Sequence, residues 1–186
     1  SETIFINNTG SNSVIYFDEN VEANISNSIF IGNDDEKTII GSSKVIADYN
    51  WWTNTAENYN VNIANVSGVT VNRWLFLKID ADAGSTSTAT ISLNNVYSSE
   101  GNSTYDDYSL QSIKLNLGGS NSGASSKTVT LDEHGQATFT FTMFKTTATL
   151  TASYENIKTT KNLEYVIVCD GSFKELYDLI WFNQNG

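Results

Sequence analysis

The 186-residue chain contains few cysteine, histidine and basic residues, from which many catalytic, zinc-binding and nucleic-acid-binding sites are built. It has one cysteine, one histidine, and ten Lys plus Arg residues against 21 Asp plus Glu, which gives a formal net charge of −11. The single cysteine, Cys169, excludes an intrachain disulfide, and its place in an apolar run predicts a buried thiol. The scarcity of basic residues and the negative net charge exclude a nucleic-acid backbone as a partner.

Long hydrophobic runs are also missing. No segment stays apolar over the length of a membrane span, and no charged and then apolar leader opens the sequence. We therefore predict no direct membrane insertion of this segment. The sequence opens on Ser1 rather than on Met, from which we expect a piece of a longer protein.

Catalysis and metal binding find little support in the remaining polar residues. His134 lies in the predicted turn Asp132–Gly135 with no nucleophile motif near it, so we predict that the chain is not an enzyme. One Cys and one His cannot make a structural zinc site. The short acidic groups Asp34–Glu36, Asp80 with Asp82, and Asp106–Asp107 offer oxygen ligands of the kind that calcium takes, but no calcium-binding repeat accompanies them. We predict no cofactor, with calcium as the alternative.

A repeat occupies the first fifty residues. The segment Thr3–Asn8 (TIFINN) returns as Ser28–Asn33 (SIFIGN), a period that suits one rung of a solenoid. Two rungs cannot bury a solenoid interior, which predicts the C-terminal end of a longer parallel β-helix over residues 1–54. The alternative is a small antiparallel sheet in which the two strings match by chance.

Two adjacent tryptophans, Trp51 and Trp52, follow the repeat and are expected to close its open core. The string Asn50 to Asn54 (NWWTN) resembles the Asn-Trp-Trp-Gly-x-Asn signature of adhesin-like surface proteins of methanogenic archaea, with Thr53 where that signature has glycine. The resemblance continues into residues 71–80, an Asn and Trp followed by an apolar strand. It implies a secreted, cell-surface protein of archaea in which a β-helix ends at this signature.

Alternation with a period of two dominates from residue 72 onward. In residues 137–143 (ATFTFTM) the Ala, Phe and Met side chains share one face and the threonines the other, the pattern of a half-buried antiparallel strand. Residues 148–154 and 163–169 repeat it. About seven such strands in roughly a hundred residues predict an immunoglobulin-like β-sandwich over residues 71–170.

The remaining segments complete an all-β architecture. Residues 55–70 are interpreted as a linker between the two modules. The turn Asp132–Gly135 is expected to form a hairpin, a feature that resembles the bacterial Ig-like domains of invasin-type adhesins. Residues 171–186 carry a capping box and apolar residues at helical spacing, which predict a short helix, either packed on the sandwich or beginning a further module.

Aromatic residues supply the candidate ligand contacts. Tyr105, Asp106, Asp107 and Tyr108 lie in a long polar loop and are expected to be exposed. Trp51, Trp52 and Trp74 are interpreted as packing residues.

The predicted function is that of a non-catalytic adhesin segment, a rigid stalk that also contacts other cells or extracellular glycans and proteins. A carbohydrate-binding module of a secreted polysaccharide-degrading enzyme and a pure spacer stay open as alternatives.

Overall fold

The computed structural model describes residues 3–8, 13–33, 37–58, 66–110 and 112–166. Within these ranges the chain consists of strands and turns without any helix, which confirms the predicted all-β class. The same ranges contain no helix that could span a membrane. The predicted helix at residues 171–186, Cys169 and the acidic group Asp34–Glu36 lie outside the described residues.

The strands of the described ranges are, in chain order, β1 (Thr3–Ile6), β2 (Ser13–Tyr16), β3 (Ala23–Asn24), β4 (Ser28–Ile31), β5 (Lys37–Ile40), β6 (Val45–Ile46), β7 (Asn50–Thr55), β8 (Val66–Ser67), β9 (Arg73–Ala81), β10 (Thr86–Ser98), β11 (Ser103–Thr104), β12 (Lys114–Gly118), β13 (Thr128–Thr130), β14 (Gln136–Thr142), β15 (Thr147–Tyr154) and β16 (Ile157–Glu164).

The chain forms two compact units. The first comprises Ser1–Leu77, Leu93–Gln111 and Asp132–Gly135, and the second comprises Lys78–Ser92, Ser112–Leu131 and Gln136–Gly186. The module boundaries that the sequence places at residues 54 and 70 stay predictions.

Parallel ladders join the strands of the first unit. β1 pairs with β4 and β4 with β7, while β2 pairs with β5 and β3 with β6, all in parallel. In the first ladder Ile4 lies beside Ile29 and Phe5 beside Phe30. The two copies of the repeat therefore stack in register, and the antiparallel alternative is wrong because only a parallel ladder sets each apolar side chain beside its own copy.

The turn after each repeat strand stacks as well. The side-chain oxygen of Asn33 accepts hydrogen bonds from the backbone N–H and the side-chain amide of Asn8, at 3.0 and 2.9 Å. The amide of Asn33 in turn donates to the carbonyl of Phe5 at 3.3 Å. Because these asparagines satisfy backbone groups that the turn leaves unpaired, the repeat is bound together by polar as well as apolar contacts.

An aromatic column fills one side of the first ladder. The rings of Phe5 and Phe30 stack with centroids 5.0 Å apart, and Phe30 stacks on Trp52 at 4.4 Å. Ile39 of β5 and Ala47, which follows β6, both have no exposed area and pack against the column. The stack gives the interior of the ladder a continuous dry core.

The two adjacent tryptophans serve different cores. Neighbouring residues of a strand point to opposite faces of the sheet, so Trp51 cannot share the column of Trp52. Trp51 lies instead in the row Ile29, Trp51 and Leu75, all three without exposed area, on the other face of the same ladder. The predicted burial of both residues is confirmed, but the expectation that both close one open core is wrong.

A strained residue follows the double tryptophan. Thr53 has a φ of 77°, in the left-handed region that β-branched residues avoid, where the register of β7 against β9 shifts. Glycine adopts this backbone without a steric penalty.

Replacing Thr53 with glycine is expected to stabilise the first unit by about 1 kcal/mol. Relief of a left-handed penalty of about 1–2 kcal/mol outweighs the backbone entropy that glycine loses, about 0.5–1 kcal/mol. A thermal melt followed by circular dichroism measures the shift. Thr88→Gly, in the interior of β10, is the control and is expected to lower the melting temperature; a Thr53→Gly variant that melts as low would contradict the assignment.

The second unit holds antiparallel pairs. Residues 86–92 of β10 pair with β14, and a separate sheet has the order β13-β12-β15-β16. Along β14 the threonines 138, 140 and 142 are exposed, while Phe139 is half-buried and Phe141 buried, which confirms the predicted alternation. In β15 Ala148, Leu150 and Ala152 are buried in the same manner.

Two local predictions in this part of the chain are wrong. The strand predicted over residues 163–169 is displaced toward the N-terminus, because β16 spans Ile157–Glu164; residues 167–169 lie outside the described residues. The inward-facing residues of β16 include Thr159 and Lys161, so the alternation of apolar and polar residues is not visible in the sequence there. The turn at Asp132–Gly135 forms, with the N–H of Gly135 donating to the carbonyl of Asp132 at 3.0 Å, but it joins β13 to β14, which belong to different sheets. It is therefore not a hairpin.

Candidate ligand-contact cleft

The four predicted contact residues have different environments. Asp106 and Asp107 are exposed, Tyr105 is half-buried, and Tyr108 is only 5% exposed. The exposure expected of Tyr108 is therefore wrong. Its ring lies so close over Gly135, whose φ is 73°, that a β-carbon there would stand 2.9 Å from three ring atoms. Tyr108 packs inside the first unit and cannot offer its ring to a ligand.

Asn27 fixes the loop that carries Tyr105. The side-chain amide of Asn27 donates to the Tyr105 hydroxyl and to the Asp107 carbonyl, both at 3.2 Å. Its side-chain oxygen accepts from the N–H of Ser109 at 3.2 Å. One asparagine before β4 thus satisfies three groups of a loop about eighty positions further along the chain, and so holds that loop in one conformation.

Tyr105 stacks on Tyr49. The ring centroids are 4.2 Å apart and the planes differ by 9°. Burial raises the pKa of the Tyr105 hydroxyl above its usual value, an effect that the hydrogen bond from Asn27 opposes. Tyr105 is therefore neutral at ordinary pH, and it acts as a flat ring with a hydroxyl held by a donor.

Tyr49 in turn holds Arg73. Nη1 of Arg73 donates to the Tyr49 hydroxyl at 2.7 Å, and the guanidinium carbon lies 5.9 Å from the ring centroid. The short bond to the hydroxyl, rather than the distant ring face, is the main contact. That hydrogen bond, helped by the charges of Glu100 and Asp48, raises the pKa of Arg73 above its ordinary value, so the group is always a cation.

Asp48 completes the arrangement. Its Oδ1 accepts hydrogen bonds from the N–H groups of Asn72 and Arg73, at 2.7 and 3.3 Å. These residues open onto a cleft of about 390 Å3 in the first unit, lined by Asp48, Asn72, Arg73, Ser98, Ser99 and Glu100. The contact cleft, as we call it, holds one cation and two carboxylates on fixed backbone.

Sequence reasoning found Tyr105 but missed Asn27, Tyr49 and Arg73. Their proximity follows from the ladder, because the N–H of Asn27 donates to the Tyr49 carbonyl and the N–H of Tyr49 to the Arg73 carbonyl, each at 3.0 Å. Asn27 and Tyr49 also share a left-handed backbone, with φ of 51° and 60°. Extending the repeat beyond the Ile-Phe-Ile string would have aligned these positions.

The other polar groups of the described residues do not form a comparable candidate site. His134 is exposed; its Nε2 lies 3.7 Å from the Glu133 carboxylate, and its backbone N–H donates to Oδ1 of Asp132 at 2.9 Å. Asp80 forms an ion pair with Lys78 at 2.6 Å. No group of three or more His, Cys, Asp or Glu that could hold a metal ion occurs in the described ranges. A cavity of about 410 Å3 in the second unit is lined mainly by Ser, Thr and Asn, with Glu164 as its charged residue.

Comparisons with known proteins give no evidence of the chain's family or function. No protein-family model matches the chain, and no curated protein sequence matches it significantly. Solved structures of Parabacteroides merdae β-glucuronidase, one of them with glycerol in its active site, are similar over 53% of this chain and 13% to 14% of theirs, at 9% identity and a TM-score of 0.36. A likeness this weak does not bear on the fold or the function.

Proposed function

We propose that the chain is a non-catalytic segment of a secreted, cell-surface adhesin, in which it acts as a rigid stalk and as a contact module for other cells or extracellular glycans. The observation that carries the proposal is the in-register parallel stacking of the repeat strands with their aromatic column. Such stacking is how solenoids gain stiffness, because each repeat is bound to its neighbours along its whole length.

Residues 1–54, within the first unit, are proposed to be the C-terminal end of a parallel β-helix. Three separate parallel ladders that repeat along one stretch of chain support this assignment, as does the burial of large aromatics at its last strand. Residues 71–170 are proposed to be an immunoglobulin-like sandwich, supported by the alternating antiparallel strands of the second unit and by their division between two sheets. Domains of both kinds commonly serve as spacers in extracellular proteins.

The stalk role predicts a cooperative mechanical response. When the chain is pulled from its two ends in a single-molecule force experiment, we expect discrete rupture events, because a stacked ladder loses its bonds together. Phe30→Ala, which interrupts the aromatic column, is expected to lower the rupture force, whereas Thr88→Ala on an exposed face is not. Gradual extension at low force in the unchanged chain would contradict the stalk role.

The contact role predicts selective binding to extracellular polymers. A glycan array probed with the purified chain, with calcium and with chelator, is expected to show a selective set of bound glycans in both conditions. Tyr105→Ala is expected to weaken binding, because it removes the ring that supports Tyr49 and Arg73. Binding that is lost on chelation would support calcium as a cofactor. No binding in either condition would contradict the contact role and support a pure spacer.

A further inference from the structure

We propose that the contact cleft binds a neutral sugar through adjacent hydroxyl groups, with Asp48, Arg73 and Glu100 as the recognising residues. The inference rests on the contact role proposed above and names the ligand class and the residues for it. Four features support it: the space, the fixed geometry of two of the three side chains, the charge balance and the hydrogen-bonding capacity.

The space is that of a small-molecule site, and its walls are polar. A cleft of about 390 Å3 lies within the usual range for ligand pockets, about 300–1,000 Å3. One wall is the turn that carries Asp48, together with Asn72 and Arg73 at the start of β9. The other is the turn after β10, where the N–H of Gly101 donates to the Ser98 carbonyl at 3.1 Å and the N–H of Glu100 to the Ser98 hydroxyl at 3.2 Å.

Two of the three side chains are held before a ligand arrives. Both backbone bonds to Asp48 use Oδ1, which orients the carboxylate and leaves Oδ2 for a ligand. Nη1 of Arg73 donates a hydrogen bond to the Tyr49 hydroxyl, and the Tyr49 ring stacks on Tyr105. These contacts orient the guanidinium, whose remaining N–H groups are available to a ligand. A site organised in this way loses less conformational entropy on binding.

The charges select against ionic ligands. Two carboxylates and one guanidinium give the cleft a net charge of −1, on a chain whose net charge is −11. A uronate or phosphate would meet two like charges, and an ammonium group, although the carboxylates attract it, cannot accept the hydrogen bonds that the guanidinium donates. A neutral pair of hydroxyl groups meets neither obstacle.

Hydroxyl pairs match the donors and acceptors that remain. A carboxylate accepts hydrogen bonds from two neighbouring hydroxyls, while the guanidinium donates to the oxygens of the same groups. The side-chain carboxylate of Glu100 is exposed and takes part in no hydrogen bond or ion pair among the described residues, so both of its oxygens are available to a ligand. Adjacent hydroxyls on a pyranose ring present that pattern of donors and acceptors together.

The test is a set of amide chemical-shift titrations of the full chain with three neutral methyl pyranosides, derived from galactose, glucose and mannose, and with galacturonate and galactosamine. We expect saturable shifts at residues 72–73 and 98–100 with at least one neutral sugar, and at least tenfold weaker binding of both charged sugars. Glu100→Gln and Arg73→Gln are each expected to weaken the binding of the neutral sugar at least tenfold. The control Asp80→Asn, an exposed carboxylate outside the cleft, is expected to change nothing.

Each contrary outcome is distinct. Tighter binding of galacturonate or galactosamine than of any neutral sugar would overturn the ligand class. No saturable shift with the neutral sugars would overturn the site. Glycan-array binding that Glu100→Gln and Arg73→Gln leave unchanged would overturn the cleft while the contact role of the chain stands.

Discussion

Replacing Asn50 with alanine is expected to lower the free energy of unfolding of the first unit by about 4 kcal/mol. Asn50 has no exposed area, and its side chain makes four hydrogen bonds. Its Oδ1 accepts from the N–H of Ser28 at 3.0 Å, and its amide donates to the carbonyls of Ile25, Ala47 and Asp48 at 2.8, 2.9 and 3.2 Å. Alanine leaves these groups without partners, and each buried one costs about 1–3 kcal/mol.

Urea unfolding followed by far-ultraviolet circular dichroism measures the loss. Asn24→Ala is the matched control, because Asn24 is exposed in β3 and its substitution is expected to change stability by no more than about 0.5 kcal/mol. Asn50→Asp keeps an acceptor for Ser28 but sets a carboxylate against three carbonyls, so it is expected to destabilise at least as much as alanine. Equal midpoints for Asn50→Ala and Asn24→Ala would show that the four bonds contribute nothing.

Replacing Trp52 with alanine is expected to destabilise the first unit by about 3–5 kcal/mol, the usual cost of removing a buried tryptophan. Trp52 is 8% exposed and ends the aromatic column against Phe30. Its loss both opens a cavity and removes a stacked neighbour, because the parallel ladder holds the remaining rings in place. The same urea experiment, with near-ultraviolet circular dichroism added, reports the aromatic packing.

Trp52→Phe separates the two contributions. Phenylalanine keeps a ring on Phe30 and removes the buried Nε1, which has no hydrogen-bond partner in the described part of the chain. We therefore expect a loss of only about 1–2 kcal/mol, since the smaller cavity is partly offset by the removal of an unsatisfied donor. If the alanine and phenylalanine variants unfolded at the same urea concentration, stacking in the column would not contribute to stability.

Sequence reasoning located the strands best where one face is uniformly apolar. In the Ile-Phe-Ile strings and in the Thr-Phe alternation of β14, the spacing of the apolar residues is visible in the sequence itself. It failed for β16, where Thr159 and Lys161 occupy the inward row, and for the turn at Asp132, because local turn chemistry does not say which sheet a strand joins. Local patterns specify elements, whereas the partner of an edge strand depends on the rest of the fold.

The contact cleft was harder to predict for the same reason. Tyr105 stands out in a polar loop, but its partners come from two turns of the repeat that only the ladder brings together. Tyr108 has the same residue type and the same loop, yet it is buried because Gly135 leaves room for its ring. Composition cannot separate these two tyrosines; only the backbone opposite each of them does.

The stacking of Asn8 on Asn33, 25 positions apart, has a consequence for how such a protein changes in length. In a ladder of this kind one more repeat raises the stack by the distance between strands, about 4.8 Å. The inserted copy would make with each neighbour the same contacts that its neighbours already make with one another. In the proposed stalk, duplication or loss of whole repeats in the gene would therefore adjust reach in even steps without redesign of the core, and reach would become a trait on which selection can act directly.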